Sequence, residues 1–332
     1  MKIGYLGAGA WGYALAHLLA TKGYDVISWS IEKDAIAYLQ EKSEHPKLKG
    51  FPVPPTLTFT TELKDVLYGK DLIIEAVTAS GMRQVFEDIK KLGIPDCPFV
   101  LTSKGIEQNT GLLMTDVVVA VLGEEYRQKL GCLSGPTIAA DVLKSFPAAI
   151  VASAYKPEVM ALIQEAFSTP LFRVYTNPDI DGIELGAALK NIIAIACGAS
   201  DGLGFGENAK AALITRGLHE MRRMAMLKGG NPDTLNGLAG LGDLVVTCFS
   251  PQSRNYRFGR LIAEGHTVEE AKKKIGMVIE GTYSCISALQ IANKANIEVP
   301  ITEVVYKVLY ENMSIFEAMK TLLQRAIKEE NL

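Results

Sequence analysis

Lys190 is the residue of this 332-residue chain whose setting best suits proton transfer. It lies in Glu184–Cys197 (ELGAALKNIIAIAC), and its helical neighbours three and four positions away are Gly186, Ala187, Ile193 and Ala194. A lysine on so small and apolar a face either snorkels to water or is buried. Burial disfavours the ammonium and draws its pKa toward neutrality, where an acid/base group works best. Asn191 adjoins it. Asp243 follows Gly240-Leu241-Gly242 and precedes an apolar run, a place for either a first-turn helix residue or a site carboxylate. Ser253, Arg254 and Asn255 open a further helix. A guanidinium beside free helix N–H groups makes a phosphate cradle. The three-residue spacing of Arg254, Arg257 and Arg260 also fits a solvated basic stripe. Arg254, nearest the helix start, is the candidate anion contact.

A second kind of site lies at the start of the chain. The β-forming run Lys2–Leu6 leads into Gly7-Ala8-Gly9-Ala10-Trp11-Gly12 and then a helix with Trp11, Leu15, Leu18 and Leu19 on one face. Strand, G-x-G-x-x-G, helix is the order that holds a dinucleotide. Gly7 permits the turn, Gly9 admits the pyrophosphate and Gly12 lets helix and strand pack closely. The helix N-terminus then faces the phosphates.

The elements that must position these residues alternate. Short β-rich runs at 25–30, 57–60, 71–77, 99–103, 132–134 and 148–152 are separated by helical stretches, so a doubly wound, mostly parallel α/β sheet of Rossmann type is expected. Four prolines between His45 and Pro55 exclude regular helix there. Glu75 is anomalous, a carboxylate in a run expected to be buried on both faces. Beyond Asn177-Pro178-Asp179 strand alternation stops, and helical periodicity runs through 183–199, 209–227, 282–295, 301–310 and 315–325. This places residues 1–180 in a dinucleotide-binding domain and 181–332 in an all-α substrate-binding and catalytic domain. Lys104, and the turn Gly135-Pro136-Thr137, follow strands at the carboxyl edge where such sheets bind ligands. Lys104 fits either a cation for an anionic substrate or a solvated loop lysine; Thr137 fits a capping hydroxyl equally well.

Composition narrows the class. A net charge of −3 gives no electrostatic reason to expect nucleic acid. Five scattered cysteines without a C-x-x-C pair read as reduced thiols, with neither a disulfide frame nor a metal site expected. A strand beginning at Lys2 leaves no room for a signal peptide. No uninterrupted apolar run approaches the ~20 residues of a membrane span, so no stable membrane insertion is expected. A cytoplasmic protein is expected.

Several motifs together are far more specific than the glycine fingerprint: GAGAWG at 7–12, SKGIE at 103–107, SGPT at 134–137 and LKNIIAI at 189–195. The series continues with SDGLGFGENAKAALITRG at 200–217, GLAGLGDLVVTC at 237–248, QSRNYRFG at 252–259 and PITE at 300–303. In these the chain resembles the bacterial-type NAD(P)-dependent sn-glycerol-3-phosphate dehydrogenases over essentially its whole length. The resemblance implies reversible hydride transfer between NAD or NADP and dihydroxyacetone phosphate, giving sn-glycerol 3-phosphate for glycerophospholipid synthesis. It makes Lys190 the acid/base, Asp243 its orienting carboxylate and Lys104 a substrate ligand near the nicotinamide. Gly135, Thr137, Ser253, Arg254 and Asn255 would complete the substrate site, with Lys104 and Arg254 also reaching the coenzyme. Ala10, Trp11, Ala139, Val278 and Glu280 fall where the family contacts coenzyme, beside Gly7, Gly9 and Gly12. A homodimer is an assembly open to such a chain.

Three positions depart from the family pattern. Ile31 stands after Ser30 where a basic or imidazole side chain is common, which bears on coenzyme choice. Glu75 and Thr78 replace an aliphatic residue and a proline. Two other functions stay open on sequence: another lysine-dependent Rossmann hydroxyacid dehydrogenase, and a nicotinamide-sensing module without turnover.

Overall fold

The computed structural model describes residues 1–327, 329 and 330. They form two compact units, one of Met1–Ser103 with Met114–Ile180 and one of Lys104–Leu113 with Asp181–Leu332.

The first unit is built on strands β1 (Lys2–Leu6), β2 (Asp25–Trp29), β5 (Leu57–Thr60), β6 (Leu72–Glu75), β7 (Phe99–Leu101), β8 (Leu130–Ser134), β9 (Ala148–Ala154) and β10 (Phe172–Thr176). Their order is β10-β9-β8-β7-β6-β1-β2-β5. Every pairing is parallel except β8 with β9. The short hairpin β3 (Glu44–His45) and β4 (Leu48–Pro52) occupies the proline-rich segment from which helix was excluded. Helices α1 (Ala10–Thr21), α2 (Lys33–Lys42), α3 (Met82–Leu92), α4 (Met114–Leu122), α5 (Ala139–Leu143) and α6 (Pro157–Phe167) complete the unit.

Sequence reading assigns no element between Ala152 and Asn177, yet α6 and β10 lie there. Pro157 opens α6 at a position where its missing N–H costs nothing. At the end of the sheet, β10 buries only Phe172 and Val174, so its apolar signal is short. Lys22, just past α1, donates to the carbonyls of Glu165, Ala166 and Ser168 at 2.7–2.8 Å and closes the end of α6.

The second unit is helical: α7 (Ile180–Gly202), α8 (Gly206–Leu227), α9 (Asp243–Phe249), α10 (Arg254–Ala263), α11 (Val268–Ile275), α12 (Glu280–Ala295), α13 (Pro300–Tyr310) and α14 (Ile315–Leu323). By length and composition α7 could cross a membrane, but 89% of its most apolar window is buried and its leucines and isoleucines form the helical core. Two glycines let α10 lie against it. A Cβ on Gly198 would stand 1.9 Å from the Tyr256 carbonyl oxygen, and one on Gly259 2.0 Å from that of Ile195. Lys104–Leu113 departs from the expected division at residue 180. Ile106 and Leu113 bridge to each other and join the helical core, and Ser287 donates its hydroxyl to the Ile106 carbonyl at 3.2 Å. All five cysteines are buried and outside any disulfide, Cys97 and Cys132 in the sheet unit and the other three in the helical one.

Candidate active site

Within the helical unit, Lys190 and Asp243 come together because a tight turn delivers the carboxylate to α7. Leu238–Gly242, which carries the glycines ahead of Asp243, is a π-helical turn running straight into α9. Such turns recur at functional positions. Asp243, first residue of α9, is fully buried. Its Oδ1 accepts from Lys190 Nζ at 2.6 Å and its Oδ2 from Lys104 Nζ at 2.6 Å. Lys190 donates a second hydrogen to Thr247 Oγ1 at 2.7 Å. An ammonium has three donors, so one N–H remains for another acceptor.

The cluster holds two cations on one carboxylate, with side-chain exposures of 8% for Lys190, 17% for Lys104 and 1% for Asp243. Burial draws the Lys190 pKa down to about 8, against the pull of Asp243 and with the help of Lys104. For Asp243, burial alone would raise the carboxyl, but the two lysines outweigh it and hold it below the ordinary carboxylate range. The result is an ammonium that can lose its proton near neutral pH, set in a locally positive pocket.

The Ser253–Asn255 segment meets α7 through Asn191, the neighbour of Lys190. Ser253 caps α10, its Oγ accepting from Tyr256 N–H at 3.3 Å. Arg254 Nη1 donates to the Val278 carbonyl at 3.1 Å, and burial depresses the guanidinium while Glu280 opposes the shift. Glu280, first residue of α12, is raised by burial and drawn back by Arg254. Asn255 does more internal work than its sequence position suggests. Its Nδ2 donates to Asn191 Oδ1 at 3.0 Å and its Oδ1 accepts from Gly281 N–H at 2.9 Å, tying α7, α10 and α12 together. Arg260 is exposed and pairs with Glu264 at 3.3 Å, so the arginine stripe splits into an inner Arg254 and a solvated Arg260.

In the sheet unit, the glycine turn has the shape a dinucleotide needs. Gly7 has φ +111°, and a Cβ there would stand 2.6 Å from the Ala76 carbonyl oxygen. At Gly12 a Cβ would meet the Gly7 carbonyl at 2.7 Å, whereas at Gly9 it would find nothing within 4 Å. Open space above Gly9 is the cradle a pyrophosphate would fill. Ala10 and Trp11 open α1, whose first turn has neither a side-chain cap nor an acidic residue, so its N–H groups suit an anion. The indole Nε1 of Trp11 is buried and unpartnered. After β2, Ser30 Oγ accepts from Glu32 N–H at 3.2 Å and Ile31 is 79% exposed. Gly135 has φ +154°, Thr137 donates to the Gly135 carbonyl at 3.2 Å rather than capping α5, and Ala139 begins α5.

Thr247 was not among the residues singled out from sequence. The signal was present, since Thr247 lies four residues after Asp243 on the same face of α9.

Sequence models of the NAD-dependent glycerol-3-phosphate dehydrogenase N-terminus and C-terminus match residues 2–160 and 179–320. The chain belongs to this family. A glycerol-3-phosphate dehydrogenase (NAD(P)+) of Chlamydia pneumoniae is 54% identical over 330 residues, covering 99% of each chain. One of Protochlamydia amoebophila is 51% identical over 331 residues, covering 100% of this chain and 99% of the relative. The crystal structure of glycerol-3-phosphate dehydrogenase from Coxiella burnetii superposes with a TM-score of 0.93 at 39% identity, covering 98% of this chain and 99% of that one. The family's two matched regions contain the glycine turn and the Lys190–Asp243 cluster respectively.

Proposed function

We propose that Lys190 is the general acid/base of an NAD(P)-dependent reduction of dihydroxyacetone phosphate to sn-glycerol 3-phosphate. The observation that carries this assignment is the buried Lys104–Asp243–Lys190 cluster, with one Lys190 N–H unspent. The bound coenzyme supplies the hydride for C2. Lys190 donates its free proton to the C2 oxygen as negative charge builds there, and its neutral amine takes that proton back in the oxidation. Asp243 keeps Lys190 oriented. Lys104 adds a second positive charge, worth most in a setting poor in water.

Arg254 binds the substrate phosphate, and Ser253, Asn255, Gly135 and Thr137 complete the substrate contacts. Gly7, Gly9, Ala10, Trp11, Gly12, Ile31, Ala139, Val278 and Glu280 contact the coenzyme, which Lys104 and Arg254 also reach. The proposed cellular setting is a cytoplasmic homodimer, without membrane insertion, that makes the glycerol phosphate backbone of phospholipids. Nicotinamide absorbance with dihydroxyacetone phosphate tests the whole assignment; absence of turnover with either coenzyme would refute it.

Replacing Arg254 separates phosphate binding from diffuse charge. Arg254→Ala should raise KM for dihydroxyacetone phosphate by the loss of about 1.5–3 kcal/mol, a charge-assisted contact. Arg260→Ala, which removes only an exposed pair with Glu264, should leave KM within about threefold of native. Equal rises in KM at both positions would mean that no single guanidinium holds the phosphate.

Coenzyme choice turns on Glu32, just before α2. A carboxylate there serves a ribose 2′-hydroxyl and repels a 2′-phosphate, while the adjacent Lys33 softens the discrimination. NADH should be used, with only a modest factor against NADPH. Glu32→Ala should improve NADPH relative to NADH in kcat/KM. A strong native preference for NADPH that survives this change would show that Glu32 does not read the ribose.

A further inference from the structure

Glu75 ends β6 with no exposed surface, at the middle of the sheet's carboxyl edge. All of its hydrogen-bond partners are uncharged. Oε1 accepts from Val77 N–H at 2.6 Å and lies 2.5 Å from Ser103 Oγ, while Ser103 N–H reaches Oε2 at 3.4 Å. Its main-chain carbonyl takes the N–H and the hydroxyl of Thr102 at 2.9 and 2.8 Å. Tyr5 of β1 is the titratable group set against it, its buried hydroxyl raised by burial and by Glu75 and drawn back by Thr102. The next residue, Ala76, donates to the Leu6 carbonyl at 2.8 Å and carries the carbonyl that stands beneath Gly7. One carboxyl therefore joins the floor of the glycine turn to the strand end that leads into Lys104.

The oxygens around Ser103 favour one proton count. Ser103 Oγ has one hydrogen but touches two acceptors, Glu75 Oε1 and the Val77 carbonyl oxygen. With an ionised Glu75, one of those oxygen–oxygen contacts has no proton between its atoms. With a carboxylic acid both are filled: Glu75 donates to Ser103 Oγ, and Ser103 donates on to Val77. Burial acts in the same direction, raising Glu75 to about 7 although the hydrogen bonds to Ser103, Val77 and Thr102 pull it down.

We propose that Glu75 is carried as the neutral acid and is a positioning residue for coenzyme binding, its proton completing the Glu75–Ser103–Val77 chain that fixes the backbone beneath the dinucleotide turn. The inference rests on the coenzyme lying over Gly7–Gly12. Its sign follows directly. Raising the pH ionises Glu75, breaks the chain and weakens the coenzyme's seat, so affinity is full well below pH 7 and is lost as pH rises through about 7.

The test is NADH binding followed by fluorescence without substrate, from about pH 6 to about pH 8.5, a range that brackets this ionisation. Native Kd should rise roughly two- to tenfold across it, the worth of about one hydrogen bond. Glu75→Gln keeps the shape and removes the ionisation, but an amide N–H turned toward Ser103 also faces the Val77 N–H that Oε1 accepts in the native chain. This variant should therefore bind somewhat more weakly than native at about pH 6 and show no pH slope. Ser103→Ala removes the relay and should bind weakly at every pH. Without coenzyme, the native-minus-Glu75→Gln infrared difference should contain a protonated-carboxyl band at neutral pH. A pH slope that persists in Glu75→Gln, native behaviour in Ser103→Ala, or absence of the band would each overturn the proposal. Gly9→Val, which fills the open space above the turn, separates the two layers of inference. If it binds NADH normally, the coenzyme placement fails and the proposal with it; if it blocks NADH while Glu75→Gln keeps the native slope, the proposal alone fails.

Discussion

Lys190→Ala is expected to lower turnover by ~10²–10⁴, the usual worth of a positioned proton donor. NADH affinity should change little, because the lysine's partners are Asp243 and Thr247 in the helical unit. The native pH profile supplies an independent check. Reduction of dihydroxyacetone phosphate needs the ammonium, so its rate should fall as pH rises through about 8. Oxidation needs the neutral amine, so its rate should rise through the same region. Near-normal turnover in Lys190→Ala, or limbs of the wrong sign, would falsify the acid/base role.

Asp243→Asn should be the most damaging substitution for folding as well as activity. It removes the only negative charge from a buried cluster that holds two lysines. Breaking a buried pair costs about 3–5 kcal/mol, because the abandoned charge stays desolvated. Lys190 can relieve that cost by losing its proton, so its pKa should drop further and the reduction limb should move to lower pH. Removing one cation as well, in Asp243→Asn with Lys104→Met, should recover part of the lost stability without restoring turnover. Denaturant midpoints for the single and double variants, with pH–rate profiles, measure both effects. If Asp243→Asn unfolded at the native midpoint, the carboxylate would not be balancing the two lysines.

The residues of the proposed site were easier to pick out in the chain than the contacts that join them. Lys190 announced itself because its neighbours at helical spacing are small and apolar, and Asp243 because glycines and an apolar run bracket it. Contact between them was not legible: they are 53 residues apart and meet through a π-helical turn that looks like a loop in sequence. Lys104 follows a strand of the sheet unit, so its packing with the helices was hidden until Ile106 and Leu113 were seen in the helical core. Asn255 was read as a polar group at a helix start, yet its amide is occupied by Asn191 and Gly281, a long-range arrangement that no local spacing encodes. The strand β10 was missed for a simpler reason: with two buried side chains it carries too little apolar pattern to stand out. Glu75 violated the pattern openly, and its meaning needed the three oxygens around Ser103.

The burial of all five cysteines has a consequence for how this molecule ages. Cys97 is pushed up to about 11 by burial, and burial raises Cys285 as well, so neither offers thiolate to an oxidant in the closed protein. Cys248 is also held above its ordinary value, chiefly by the neighbouring Cys197. Attack must wait for a transient opening, and its rate then follows the population of the open form rather than the reactivity of sulfur. Cys97 and Cys132 therefore report openings of one unit, and Cys197, Cys248 and Cys285 openings of the other. Residue-resolved alkylation reads these openings at the native thiols, with no cysteine engineered into the chain.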